Sequence, residues 1–225
     1  MAKHNKNKAH NTKVEFDELT STENFFEKNK NALIYGGIGI IVVILGFIGY
    51  QKFVSEPKEI ESQEQVWNAL YDLQNDSLEL AAQGNGEYSG FEEIASEYSG
   101  TSGGDIANYS MGIIEMERGN FEEALDYFKN TDFEDVVVGT LCIGLQGDCY
   151  VELEDLETAV DYFEKAANRE PNEFTTPMFL KKAGLTYEEL GQYDDAIRVY
   201  TKIKDEYPTT AEGSDIDKYI ARATK

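Results

Sequence analysis

Both histidines of the 225-residue chain, His4 and His10, lie close to its start, so residues 51–225 cannot assemble a serine or cysteine triad, a His-based zinc site or a histidine general base. Phosphate loops are missing as well. No Gly-Lys-Ser/Thr occurs, and Gly84-Asn85-Gly86 is followed by Gly90, one position too far for a dinucleotide fingerprint. The two cysteines, Cys142 and Cys149, fall on what should be one helix, with Cα atoms ~10.5 Å apart where a disulfide needs less than ~7 Å. They read as two buried thiols, the alternative being a bridge between chains, and a metal site would lack neighbouring His or further Cys. Carboxylates are what remain: 38 acids stand in residues 51–225, enough that a catalytic pair or a divalent-cation site stays open as an alternative. Any given pair on so acidic a surface reads as a solvated face, and no Asp-x-Asp-x-Asp-Gly loop is present. The chain is therefore expected not to be an enzyme and to carry no cofactor.

Charge divides the sequence sharply. Residues 1–50 hold six Lys against five acids, net +1, whereas residues 51–225 hold 14 basic against 38 acidic residues, net −24. A body that acidic cannot neutralise phosphates, which argues against nucleic-acid partners and against polybasic docking on an anionic bilayer. Four prolines and 12% aromatic residues also argue against bulk disorder.

Between Lys30 and Lys52 no charge interrupts the chain, and residues 32–50 are almost wholly apolar. Nineteen residues at ~1.5 Å each span ~28 Å, close to the hydrocarbon thickness of a bilayer. The run is longer than a secretory signal core and no small-x-small cleavage site follows it, so an uncleaved anchor is expected rather than a removed signal or a buried core helix. Lys3, Lys6, Lys8, Lys13, Lys28 and Lys30 precede it and only Lys52 and Lys58 follow closely. That bias places the tail in the cytosol and residues 51–225 across the membrane. Ala32, Gly36, Gly39 and Gly46 share one side of the helix and form a candidate packing face for another membrane helix. Ahead of it, Thr20 to Glu23 reads as a capping box, with Phe25 and Phe26 at the interface.

The strongest signal is internal repetition. Gly112, Ala124, Phe128; Gly147, Ala159, Phe163; and Gly184, Ala196, Tyr200 repeat one spacing three times. Tyr150 and Tyr187 fill a Gly-x-x-Tyr position, and Pro171 and Pro208 close the second and third units, while the first has Glu115 and Val136 there. Small Gly and Ala would let two helices touch, the aromatic would fill the gap beneath them, and Pro would end the second helix. This pattern resembles tetratricopeptide repeats, whose fold is an all-α solenoid. Residues 63–83, with Val66, Leu70 and Leu73 on one face, and a short helix with Phe91, Ile94, Ala95 and Tyr98 suggest a degenerate first hairpin. Ser214 would cap a last helix whose Ile216, Tyr219, Ile220 and Ala223 cover the open end.

Such arrays bind extended peptides or partner segments on a concave side lined by the first helix of each pair. Laid over the family pattern, the inward positions are Tyr109, Ile113 and Met116; Leu141, Asp148 and Val151; Lys181, Leu185 and Glu188. The set is mostly apolar, and the alternative is that these residues simply pack within the array. Gly144 and Asp148 stand where a carboxylate-clamping Lys and Asn arrangement would need its residues.

The parts in order are a tail with a short juxtamembrane helix (1–31), an anchor (32–50), a linker and degenerate hairpin (51–104), three repeats (105–208) and a capping helix (209–225). With Glu23-Asn24-Phe25-Phe26-Glu27-Lys28-Asn29-Lys30 before the anchor, this layout resembles the YfgM-type ancillary subunit of the Sec translocon. The resemblance implies a single-pass protein of the bacterial inner membrane with periplasmic repeats. The partners it implies are translocon subunits, periplasmic chaperones and emerging client chains. A scaffold in envelope assembly or cell division would use the same repeats, and the oligomeric state stays open.

Overall fold

The computed structural model describes the backbone of residues 3–224 and the side chains of residues 26–224. Among the described residues every regular element is helical, and the chain divides into two compact units, residues 1–57 and 58–225.

The first unit is dominated by α1 (Lys3–Tyr50). It contains one stretch long and apolar enough to cross a membrane, and large side chains from Leu33 to Tyr50 lie exposed along it. Water would penalise that much bare apolar surface, whereas a bilayer satisfies it. Residues 20–23 lie inside α1 rather than at a helix start, because no Pro or Gly interrupts the chain before Gly36. The side chains of the expected capping box, of Phe25, and of Lys3, Lys6, Lys8 and Lys13 fall outside the described residues. After Tyr50 the helix widens into a π-turn (Gln51–Ser55). Pro57 supplies the reason, since it has no N–H for the carbonyl of Phe53, four residues back.

The second unit is a succession of helical pairs. α2 (Glu56–Gln74) ends at a turn where Asp76 takes a positive φ of 60°, and α3 (Leu78–Gln83) follows. Residues 63–83 are thus not one helix: the turn residues Asn75, Asp76 and Ser77 compete for backbone bonds and break it. Gly90 then leads into α4 (Phe91–Glu97), and a Cβ on Gly90 would lie 2.2 Å from the Ala82 carbonyl oxygen. Val66, Ala69, Phe91, Ile94 and Tyr98 join Ala107, Met111 and Ile114 of the next helix in one buried cluster.

Three longer pairs follow: α5 (Ser102–Arg118) with α6 (Phe121–Lys129), α7 (Val136–Glu152) with α8 (Leu156–Arg169), and α9 (Thr175–Glu189) with α10 (Tyr193–Glu206). The repeated spacing has one steric meaning throughout. Ala124, Ala159 and Ala196 are fully buried. A Cβ on Gly112, Gly147 or Gly184 would stand 2.5, 2.7 or 2.2 Å from the ring of Phe128, Phe163 or Tyr200. Each glycine therefore seats the aromatic of its partner helix.

Every pair also turns alike. Asn120, Asp155 and Gln192 donate their backbone N–H to the carbonyls of Glu115, Tyr150 and Tyr187, at 2.8–2.9 Å. The turns place Gly119, Glu154 and Gly191 at φ of 79°, 61° and 72°. Only the middle one bears a side chain, in a region that disfavours it by ~1–2 kcal/mol. Glu154→Gly is expected to stabilise the body by about 1 kcal/mol, and Gly191→Ala to destabilise it by a similar amount. Urea denaturation of the full chain in neutral detergent measures both, and destabilisation by Glu154→Gly would show that the turn bears no strain.

α11 (Ile216–Ala223) closes the succession, with Ile216 and Ala223 buried and Tyr219 and Ile220 packed against the same core. Ser214 does not cap it. A 3-10 turn (Gly213–Asp215) intervenes, and the Ser214 hydroxyl donates backwards to the Ala211 carbonyl.

Candidate functional site

The nine inward positions lie on α5, α7 and α9, the first helices of the three longer pairs. On α5, Tyr109 sits edge-on to Phe128 and Phe133, with centroids 6.0 and 5.8 Å away. Burial raises the pKa of its phenol. Ile113 and Met116 are half-buried against the core around Phe128, and Leu141 and Val151 against the core of the next two pairs.

Asp148 receives two hydrogen bonds from Lys182 Nζ, at 2.6 and 2.7 Å. Burial pushes its carboxyl above the usual range despite that ammonium, which pulls the other way. On α9, the Lys181 ammonium lies 4.8 Å from the centre of the Tyr219 ring and 3.9 Å from Asp215. Glu188 accepts from Tyr200 Oη and from Nε and Nη2 of Arg222, all at 2.7 Å. Burial alone would raise its pKa, but the Arg222 and Tyr200 bonds outweigh it and hold the carboxyl below the ordinary value. Lys181 and Glu188 are thus engaged by α11, while Leu185, between them on the same helix face, is 37% exposed. It is the one large apolar member of the nine that counts as exposed.

Gly144, where a clamp residue would be needed, admits a neighbour instead: a Cβ there would stand 1.9 Å from Phe179 of α9. Cys142 and Cys149 are both free and buried. Burial raises both thiols, Cys149 to about 12, and Cys142 Sγ lies 3.0 Å from the Thr131 hydroxyl. Among the described residues no group of three His, Cys, Asp or Glu side chains could hold a metal ion. Ala32, Gly36, Gly39 and Gly46 are all exposed along α1, and nothing comes within 4 Å of a Cβ built on the three glycines.

Other features emerge only in three dimensions. Side chains 34 residues apart bond repeatedly across adjacent pairs: Lys182 to Asp148, Arg198 to Glu164, Lys202 to Asn168, and Arg222 to Glu188. The sequence signal is an acid or amide 34 positions ahead of a base. Glu115, the misfit to the tyrosine position, is buried and accepts from Arg118 at 2.6 Å and Asn120 at 2.7 Å, so it pins its own turn. On α2, Ile60, Trp67 and Tyr71 line the face opposite the buried Ala69 and are 55%, 70% and 67% exposed, an apolar strip that the repeat pattern does not contain.

Two tetratricopeptide-repeat family models match the chain, at residues 143–173 and 182–210. They fall on α7–α8 and α9–α10, and the α5–α6 pair lies outside both. No curated protein sequence matches the chain. Among solved structures, the crystal structure of MamA is similar with a TM-score of 0.50 at 15% identity, over 69% of this chain and 92% of that one. At that identity the likeness is one of fold. The body is a tetratricopeptide-type α-solenoid, preceded by an apolar helix long enough to cross a membrane.

Proposed function

We propose that the chain is a membrane-anchored scaffold that recruits proteins through the α5–α7–α9 face. The observation that carries this reading is the attachment of a repeat array, a fold that generally serves protein–protein interaction, to a helix whose apolar side chains are bare. Leu185 and the apolar shoulders around it supply the desolvation energy, and Asp148 with Lys182 supplies a polar landmark for register. No step of bond chemistry is assigned to it.

The resemblance of the juxtamembrane motif and layout to the ancillary translocon subunit supports a finer version. In that version the body lies in the periplasm, the Ala32–Gly36–Gly39–Gly46 side of α1 packs against a translocon helix, and the repeats receive a periplasmic chaperone or an emerging chain. The bias of lysines towards the tail supports the same orientation. Protease added to spheroplasts carrying the full chain, with epitopes at both ends, is expected to digest residues 51–225 and spare the tail. A digested tail beside a protected body would overturn the periplasmic reading.

A further inference from the structure

The body carries 14 basic residues against 38 acidic ones, so there are carboxylates enough for every cation to find one. Seven do, from Arg118 to Arg222, each within 4.0 Å of one. Six other described cations of the body, Lys52, Lys58, Lys129, Lys165, Arg169 and Lys202, do not, and three of these, Lys129, Lys165 and Arg169, line one cleft of about 380 Å³ between α6, α7 and α8. Three cations with no carboxylate partner among the described residues thus gather in one cleft of a strongly acidic body.

The cleft has built features. Arg169 donates to the carbonyl oxygens of Phe133 at 2.6 Å and Asp135 at 3.3 Å, which fixes its guanidinium against α7. Gly139 makes room for it, since a Cβ there would overlap Nη1 at 1.7 Å. A guanidinium has five N–H groups, so three remain without a protein acceptor among the described residues. The Lys129 and Lys165 ammonium groups rest on tyrosine rings, 5.9 Å from Tyr150 and 5.5 Å from Tyr162. Asp132 is the cleft's one carboxylate and leaves the lining net positive. Between the cations the lining is mixed: Phe133, Ile143 and the Tyr162 ring form apolar wall, and Thr131 and Gln146 are polar.

We infer that this cleft is a second protein-docking site, which takes an acidic segment whose carboxylate side chains alternate with apolar ones. Carboxylates would meet Lys129, Lys165 and the spare Arg169 donors as charge-assisted bonds, and apolar side chains would cover the walls between them. A small oxoanion would satisfy the cations and leave those walls wet, which favours the segment. The site uses α6, α8 and residues of α7 that are not among the nine face positions, so the two surfaces can be tested separately.

The probe is a short fluorescein-labelled peptide of alternating glutamate and leucine, with a glutamine–leucine counterpart. Both are titrated by anisotropy into the full chain in neutral detergent. The glutamate peptide is expected to bind about tenfold or more tightly than its counterpart. Lys129→Gln with Lys165→Gln should reduce its affinity to the counterpart's level, and Lys165→Gln alone should give part of that loss. Among the described residues neither lysine makes an ion pair, so melting temperature should hold. Leu185→Ser should leave this binding unchanged. Equal binding of the two peptides, undiminished binding by the lysine variants, or full displacement by equimolar inorganic phosphate would each overturn the assignment.

Discussion

Gly184→Ala is expected to destabilise the body by about 3 kcal/mol or more, a large effect for a single methyl group. The new Cβ would stand 2.2 Å from Cε1 and 2.6 Å from Cζ of Tyr200. That ring cannot retreat easily. It is fully buried, and its hydroxyl donates to Glu188, which also holds Arg222 of α11. Movement would therefore disturb the third pair and its closing helix together. Gly147→Ala and Gly112→Ala meet Phe163 and Phe128 at 2.7 and 2.5 Å and should follow the same trend, with neither ring tied by a hydroxyl. The contrast lies in α1, where nothing stands within 4 Å of a Cβ on Gly36. Gly36→Ala should leave the melting of the body within about 0.5 kcal/mol of the parent. Denaturant titration of the full-length variants in neutral detergent measures all of these. Equal effects of Gly184→Ala and Gly36→Ala would show that the glycine does not seat the tyrosine.

What the sequence reveals of this fold is what depends on short-range spacing. The Gly–Ala–aromatic pattern is legible because one steric relation, glycine under ring, recurs within each helix pair. The break after Gln74 is not, because Asn75, Asp76 and Ser77 carry turn chemistry inside an otherwise helical apolar period. Ser214 is misread for a related reason: a serine before an apolar helix suits an N-cap, but the chain makes a 3-10 turn first and Ser214 bonds backwards to Ala211. The nine positions of the candidate face can be numbered from the family pattern. Their partners cannot, since Lys182 meets Asp148 and Arg222 meets Glu188 only once neighbouring pairs stack. The basic cleft is harder still. Lys129, Lys165 and Arg169 look ordinary in the sequence, and what sets them apart is that folding brings them into one cleft with no carboxylate partner among the described residues.

The claim that the α5–α7–α9 face recruits protein is tested most directly by photo-crosslinking in intact membranes. A photoreactive residue is placed in the full chain at Leu185, 37% exposed on α9, or at Glu157, exposed on α8. Both positions are expected to tolerate substitution, because neither side chain fills the core. Burying a leucine-sized side chain against a partner contributes about 1.5–3 kcal/mol, enough to hold that position at the centre of a contact. Irradiation is expected to give discrete adducts at position 185, identified by mass spectrometry as a translocon subunit, a periplasmic chaperone or an emerging chain, and few or none at 157. The same yield at both positions, or no adduct at 185 from a folded and inserted chain, would contradict the assignment of this face.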